Sequence, residues 1–319
     1  MNLSIVATLY QSAPYLREFY SRSSAAAAKI TGSFEIVLVN DGSPDNSLEI
    51  ARALVREDPR VRVVDLSRNF GHHKAMMTGL IYSRGDLVFL VDSDLEEEPE
   101  LVTLFFEKLR ATDADVVYGV QQERKGKAFE RLSGTLYFKA FNLFANYRIP
   151  ANHLTARLMT RRYVDELVKH QESEFVMSAL WALTGFNQVP VGVRKHLKAT
   201  SSYGLRQKIA HLVNAITSSS NKPLVLIFYV GCLILMVSSI AALNLIARKL
   251  FFGVLLQGWA SLIVSVWLLG GLTIFCLGLI GIYLAKIFSE VKRRPYTIVR
   301  TVYEADALPD QAPGQDHQG

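Results

Sequence analysis

The sequence predicts an α/β domain with a mainly parallel sheet, followed by two apolar helices that cross a membrane. Three observations carry this. Short apolar runs alternate with helix-like segments over the first 120 residues. The polar clusters all follow the apolar runs. Beyond Pro223, residues 224–247 and 250–285 contain no charged side chain.

Taken in order, Leu3–Leu9 reads as a short apolar strand and 15–29 as a helix by composition. Residues 34–39 (FEIVLV) form a second strand, and 45–55 a helix whose start is rich in Ser, Pro, Asp and Asn, the residues that cap helices. Val61–Leu66 is a third strand, His72–Tyr82 a helix and 87–91 a fourth strand. A helix over 99–110 and a fifth strand over 116–120 complete the series. Strands alternating with helices of this length imply βαβ units and a parallel sheet. Such sheets bind ligands at the carboxyl ends of their strands, which is where the polar clusters fall.

The first uncharged run is about 24 residues long, enough for a helix to cross roughly 30 Å of hydrocarbon. The second has a spanning core near 260–284, preceded by FFGVLLQGW, which suits the interface where Trp259 is at home. Arg206, Lys208 and Lys222 precede the first span, and Lys286, Lys292, Arg293, Arg294 and Arg300 follow the second. Only Arg248 and Lys249 lie between. The positive-inside rule then predicts a multi-pass inner (plasma) membrane protein with both termini and the α/β domain cytoplasmic. MNLSIVATLY lacks the charged region, apolar core and cleavage site of a signal peptide. The net charge of +6 suits an anionic membrane surface, and no recognition motif points to nucleic acid. Cys232 and Cys276 both lie in the spans, which excludes a zinc site or a disulfide framework.

The expected organisation is an α/β domain over 1–200, a juxtamembrane interface helix over 201–222, a two-helix hairpin over 223–288, and a basic segment with a tail over 289–319. Within the first domain, 126–148 mixes aromatic and basic residues as a helix on a membrane surface does, or one packed on the domain or on a second subunit. The final residues, 305–319, have no apolar period and read as disordered.

Three clusters could carry chemistry. NDGSPDNS (40–47) is a turn and helix cap in which Asp41 can accept from a base or a ribose. RNFGHHK (68–74) can bind an anion at a strand end. VDSDLEEEPE (91–100) places six carboxylates in nine positions. In extended backbone, Asp92 and Asp94 face the same side, which is costly unless a cation joins them. Oxygen ligands suit Mg²⁺ or Mn²⁺, with Glu96 as a further ligand. Pro99 suits the first helical position. Glu97, Glu98 and Glu100 then read as charges at a helix N-terminus, each gaining roughly 0.3–1 kcal/mol.

NDGS, RNFG and DSDLEEEP in this order resemble the family 2 glycosyltransferases of the GT-A fold, whose sheet is Rossmann-like. The branch that is most similar is the polyprenyl-phosphate glycosyltransferases, which include dolichol-phosphate mannose synthases and GtrB-type bactoprenol glucosyltransferases. SSY at 201–203, ITSSSNKPL at 216–224 and GLIGIYLAKIFSEVKRRPY at 278–296 extend the likeness to about Tyr303. The resemblance implies an inverting transfer from a nucleotide diphosphate sugar to polyprenyl (undecaprenyl) phosphate, for glycan or cell-envelope modification, by a homo-tetramer. It implies that Thr8, Tyr10, Asp41, Arg68, Asn69, Gly71, Lys74, Asp92 and Ser93 hold the nucleotide sugar. Asp94 and Glu96 would hold Mg²⁺ or Mn²⁺. Asp92 and Asp94, with Arg124 and Lys125, would be catalytic. Arg124, Lys125, Ser201 and Tyr203 would bind the lipid phosphate.

Several positions depart from the family pattern. An acidic residue usual after the first strand is Ser12, and the Asp of a usual Asp-Phe-Arg-Leu-Met motif is Thr155. The Lys of a usual Ser-Lys-Tyr is Ser202. A lipid phosphate has a second pKa of about 6, so it is already a nucleophile and a base is dispensable. The alternatives are an elongating transferase with a sugar hydroxyl acceptor, which needs a base, and a non-catalytic membrane module that binds nucleotide sugar.

Overall fold

The computed structural model describes residues 1–121, 153–172, 175–193, 222–252, 258–292 and 294–305. They fall into two units. The first is built on Met1–Ser133, Ile149–Ser202 and Arg294–Gly319, and the second on Gly134–Arg148 and Tyr203–Arg293.

The first unit opens with β1 (Leu3–Leu9), α1 (Leu16–Ala28), β2 (Phe34–Asn40), α2 (Ser47–Glu57) and β3 (Val61–Leu66). It continues through α3 (His72–Tyr82), β4 (Leu87–Leu90), α4 (Leu101–Thr112) and β5 (Val116–Gln121). After the undescribed 122–152 come β6 (His153–Thr160), α5 (Arg161–Leu167), α6 (Met177–Thr184) and β7 (Gln188–Val193). The second unit contributes α7 (Lys222–Phe252) and α8 (Trp259–Val291), and β8 (Val299–Tyr303) belongs to the first.

The sheet order is β7-β5-β6-β4-β1-β2-β3-β8. Strands β4, β1, β2 and β3 are parallel, while β6 and β8 run antiparallel to their neighbours. This is the mainly parallel α/β sheet that the sequence predicts, with mixed edges. Side chains alternate between two apolar layers. Ile5, Ile36, Leu38 and Phe89 face α1, α2 and α4, where Phe19, Leu54 and Phe105 lie. Val6, Val37, Val39 and Leu90 face α3, α5 and α6, where Met77, Tyr163 and Leu180 lie. Each large apolar side chain fully buried this way contributes roughly 1.5–3 kcal/mol. A Cβ on Gly79 would come within 2.4 Å of Val6 Cγ1, so that glycine lets α3 lie close on β1.

The expected elements of the first 120 residues all form, within two residues at each end. The fourth strand ends at Leu90, and α4 starts at Leu101, leaving Pro99 in the preceding turn. Strand β8 comes from the basic segment that precedes the tail, where no strand was expected. Five residues are too short for a periodic signal, and its partner β3 is remote in sequence. In the second unit, α7 contains the whole of the expected first span. Among the described residues, one helical stretch, Ser265–Val291, is long and apolar enough to cross a membrane, with mean hydropathy 2.2. The expected helix over 126–148, all of the expected 201–222 helix except Lys222, which begins α7, and the tail from 306 lie outside the described residues.

Candidate active site

The polar residues gather where the parallel strands end. Asp41 follows β2, is buried, and fixes the neighbouring loop. Its Oδ1 accepts the Phe70 N–H at 2.7 Å and its Oδ2 the Gly71 N–H at 3.0 Å. Gly42 makes that approach feasible. Its φ is +61°, and an added Cβ would lie 2.5 Å from the Asn69 nitrogen. NDGS and RNFG therefore form one clamped pair of loops, with Gly71 also at positive φ, +99°. Arg68 stacks over Phe70 at 4.0 Å and donates to the Asn69 carbonyl, so it is held by its own loop. The Lys74 N–H closes the first turn of α3 on the Gly71 carbonyl. Tyr10, after β1, is half-exposed.

His72 was not singled out by the sequence as a site residue, yet it bridges three strand and helix ends. Its Nδ1 lies 3.1 Å from Thr8 Oγ1 and its Nε2 3.3 Å from Asp92 Oδ1. Burial opposes charge on this imidazole, but its pKa is raised: Asp92 hydrogen-bonds to it and attracts the proton, and Asp41 and Asp94 add to the field. Three carboxylates from two loops thus converge electrostatically on one position. His73 goes the other way, pushed down by burial and by repulsion from His72. A second network supports the same floor. Ser93 Oγ donates to the Thr8 carbonyl at 2.7 Å and meets Ser12 Oγ at 2.9 Å. The Ser12 N–H donates to Ser47 Oγ, so the residue standing where an acidic one was expected is a buried serine bonded through both its hydroxyl and its backbone.

The acidic stretch divides differently from the sequence reading. Backbone extension does not continue through Asp94. Ser93 and Asp94 lie in a turn, Asp94 Oδ1 accepts the Glu96 N–H at 3.0 Å, and Leu95 is left-handed with φ +63°. The anchoring of Ser93 on Thr8 and Ser12 pulls the chain out of the strand. Among the described residues no group of three or more His, Cys, Asp or Glu side chains forms a metal site. A Mg²⁺-type ion is commonly held by one or two carboxylates with the remaining positions filled by substrate phosphates and water. Asp94 and Glu96 on one turn, in a region negative enough to raise His72, fit that kind of site.

Glu97 is the main correction. Expected as a solvated charge at a helix start, it is 1% exposed. Its Oε1 accepts the Thr155 N–H at 3.2 Å and its Oε2 the Ala156 N–H at 2.6 Å, tying the β4–α4 loop to β6. The reason is tertiary, since β6 runs antiparallel beside β4 and presents those amides to the loop. Glu100 does sit at the helix N-cap, paired with Arg22 at 2.8 Å, which holds its carboxyl below the usual range. Beneath the loop, Arg157 is buried against the Trp181 ring, and burial pushes its pKa down. Glu97→Gln is expected to destabilise the protein by about 1–3 kcal/mol, because one amide oxygen replaces two carboxylate oxygens and strands a buried N–H. Denaturant unfolding of the two proteins measures it, and equal midpoints would remove Glu97 from this structural role.

The sequence-expected Asp41, Asp92, Ser93, Asp94 and Glu96 thus lie on the loops that follow β2 and β4, Thr8 at the end of β1, Arg68, Asn69 and Gly71 on the loop after β3, and Lys74 in the first turn of α3. Arg124, Lys125, Ser201 and Tyr203 lie outside the described residues. Glu97 carried no sequence signal that separated it from its acidic neighbours. His72 carried one, its place at a helix start facing the strand ends.

Comparison with known proteins agrees with this layout. The family described as Glycosyl transferase family 2 matches residues 4–168. A Mycobacterium tuberculosis protein named as a glycosyltransferase is 54% identical over 306 residues, covering 96% of this chain and 90% of its own. The Bacillus subtilis glycosyltransferase YkcC is 34% identical over 303 residues, 94% of each chain. A prophage bactoprenol glucosyl transferase homolog of Escherichia coli is 29% identical over 305 residues, covering 95% of this chain and 99% of its own. The chain belongs to glycosyl transferase family 2, and it is a glycosyltransferase.

Proposed function

We propose that the enzyme transfers a sugar, with inversion, from a nucleotide diphosphate sugar to a polyprenyl phosphate at the cytosolic face of a membrane. The observation that carries this reading is an acidic, strand-end site in a chain that also holds the apolar helix Ser265–Val291. Full-length likeness to a protein named for bactoprenol points to the same acceptor class. Helices α7 and α8, at 1.5 Å per residue about 46 and 50 Å long, are read as the two spans of a hairpin with both ends cytoplasmic.

The loops after β2 and β3 would take the nucleoside, with Asp41 at the base and Arg68, Asn69 and Lys74 toward the phosphates. Asp92, held by His72, would face the sugar side. A divalent ion on Asp94 and Glu96 would neutralise charge on the leaving diphosphate. Arg124 and Lys125, with Ser201 and Tyr203, would hold the acceptor phosphate. The state of Glu97 favours a phosphate acceptor over a sugar hydroxyl. Thr155 stands where the family pattern carries a carboxylate, and the carboxylate bonded to its amide is itself fixed by two backbone N–H groups. An acceptor that is already ionised requires no base from that position, so positioning and charge neutralisation suffice.

The test is direct. Purified protein with Mg²⁺ or Mn²⁺, a panel of UDP-, GDP- and TDP-sugars, and undecaprenyl phosphate should release nucleoside diphosphate only when lipid phosphate is present. The product should carry one sugar per lipid. An extended glycan, or binding without turnover across the panel, would overturn the proposal.

A further inference from the structure

We infer that the C-terminal strand β8, which follows both long helices, is a positioning element of the nucleotide-sugar site, acting through Arg300. It lies well outside the family match at 4–168. It nevertheless braces the two loops that matter most for the donor. Arg300 Nη1 lies 3.2 Å from Asp65 Oδ2, and Nη2 donates to the Ser67 carbonyl at 2.7 Å. The Ser67 N–H donates to the Ile298 carbonyl at 2.8 Å. Asp65 Oδ1 accepts from Asn40 Nδ2 at 2.8 Å, and Asn40 Oδ1 accepts the Ser43 N–H at 3.3 Å. One side chain on β8 thus reaches residue 67, next to Arg68, and through Asp65 reaches residue 40, next to Asp41.

Burial gives the contact its leverage. Asp65 is 1% exposed and Asn40 3% exposed. Arg300 itself is 56% exposed, so the leverage lies on the carboxylate alone. A buried carboxylate that loses its cation is left short of partners, and Asn40 is the neighbouring group that continues into the NDGS loop. The strand is fixed at both ends, by Thr297 on Thr78 at 2.7 Å and by Glu304 on Arg62 at 2.9 Å. Between them the pairing with β3 shifts register, from Asp65 opposite Thr301 to Leu66 opposite Val299, and Arg300 is the extra residue at that irregularity. The inference rests on the reading that the β2 and β3 loops hold the donor.

Arg300→Ala in the full-length chain, in detergent or nanodiscs, is expected to raise the donor KM about tenfold with kcat changed less than twofold, because the loops grip a part of the donor remote from the reacting bond. Adding Asp65→Asn to Arg300→Ala should recover most of that loss, since Asn at 65 still accepts from Asn40 and leaves no buried charge. Hydrogen exchange supplies a readout that needs no donor: amides of 40–46 and 67–71 should exchange faster in Arg300→Ala while those of 92–98 stay unchanged. Equal donor KM and equal exchange in Arg300→Ala and wild type would overturn the inference. So would a loss that falls on kcat alone, or one that Asp65→Asn deepens. Failure of the wild type to bind any nucleotide sugar would instead sink the functional reading, and the exchange pattern would still decide the bracing role.

Discussion

Asp94→Asn is expected to lower transferase turnover at least about 100-fold at saturating donor and divalent ion, equivalent to about 2.7 kcal/mol of transition-state stabilisation. The substitution is chosen for what it keeps. The Asn Oδ1 can still accept the Glu96 N–H that closes the turn in the native protein, so the left-handed Leu95 and the loop survive. What it removes is one negative oxygen from the proposed metal position. Donor consumption under steady-state conditions, with a thermal unfolding scan as control, measures the effect. Turnover within threefold of wild type, with the fold intact, would remove Asp94 from metal binding. Glu96→Gln is the companion variant, and it removes the negative charge of the second proposed ligand while keeping its size. A smaller loss there than at Asp94 would rank the two ligands.

Gly42→Ala carries the second large effect, and here the cause is steric. The residue sits at φ +61°, where an L side chain costs roughly 1–2 kcal/mol. Its Cβ would also press on backbone, 2.5 Å from the Asn69 nitrogen and 2.6 Å from the Arg68 carbonyl carbon. Neither neighbour is a flexible side-chain end, so the NDGS and RNFG loops must separate and the Asp41 clamp on Phe70 and Gly71 must open. We expect a loss of at least about 3 kcal/mol in stability, together with loss of donor binding. Gly185→Ala is the internal control. Its φ is also positive, +72°, and with ψ −129° it lies outside the left-handed helical well, but no atom lies within 4 Å of the added Cβ, so its cost is backbone strain alone. Equal shifts in Tm for the two variants would show that the loop contact at Gly42 is not tight.

Much of the site is legible because its residues are local to strand ends. A run such as Leu87–Leu90, apolar on both faces, announces a buried strand, and whatever follows it must lie at the sheet's carboxyl edge. That logic finds Asp41, Arg68, Asp92 and Asp94 without knowledge of any contact. It fails inside VDSDLEEEPE, where six carboxylates look alike. Which one is buried depends on the two β6 amides that receive Glu97, from a strand 58 residues away. Ser12 shows the complementary case. The sequence marks it as a missing acid, while the fold sets its hydroxyl against Ser93 Oγ and the Tyr10 N–H and its own N–H on Ser47 Oγ.

By itself, the sequence determined the order of strands and helices over the first 120 residues, the two long apolar helices and the edge on which the polar clusters gather. Each of these follows from side-chain periodicity and local charge, which are properties of neighbouring residues. Only the tertiary structure decided that Glu97 is a buried clamp, that His72 joins Thr8 to Asp92, and that Arg300 reaches Asp65 across 235 residues. Those are contacts between segments brought together by sheet order, and sheet order is set by how the apolar layers close, not by any short stretch of chain.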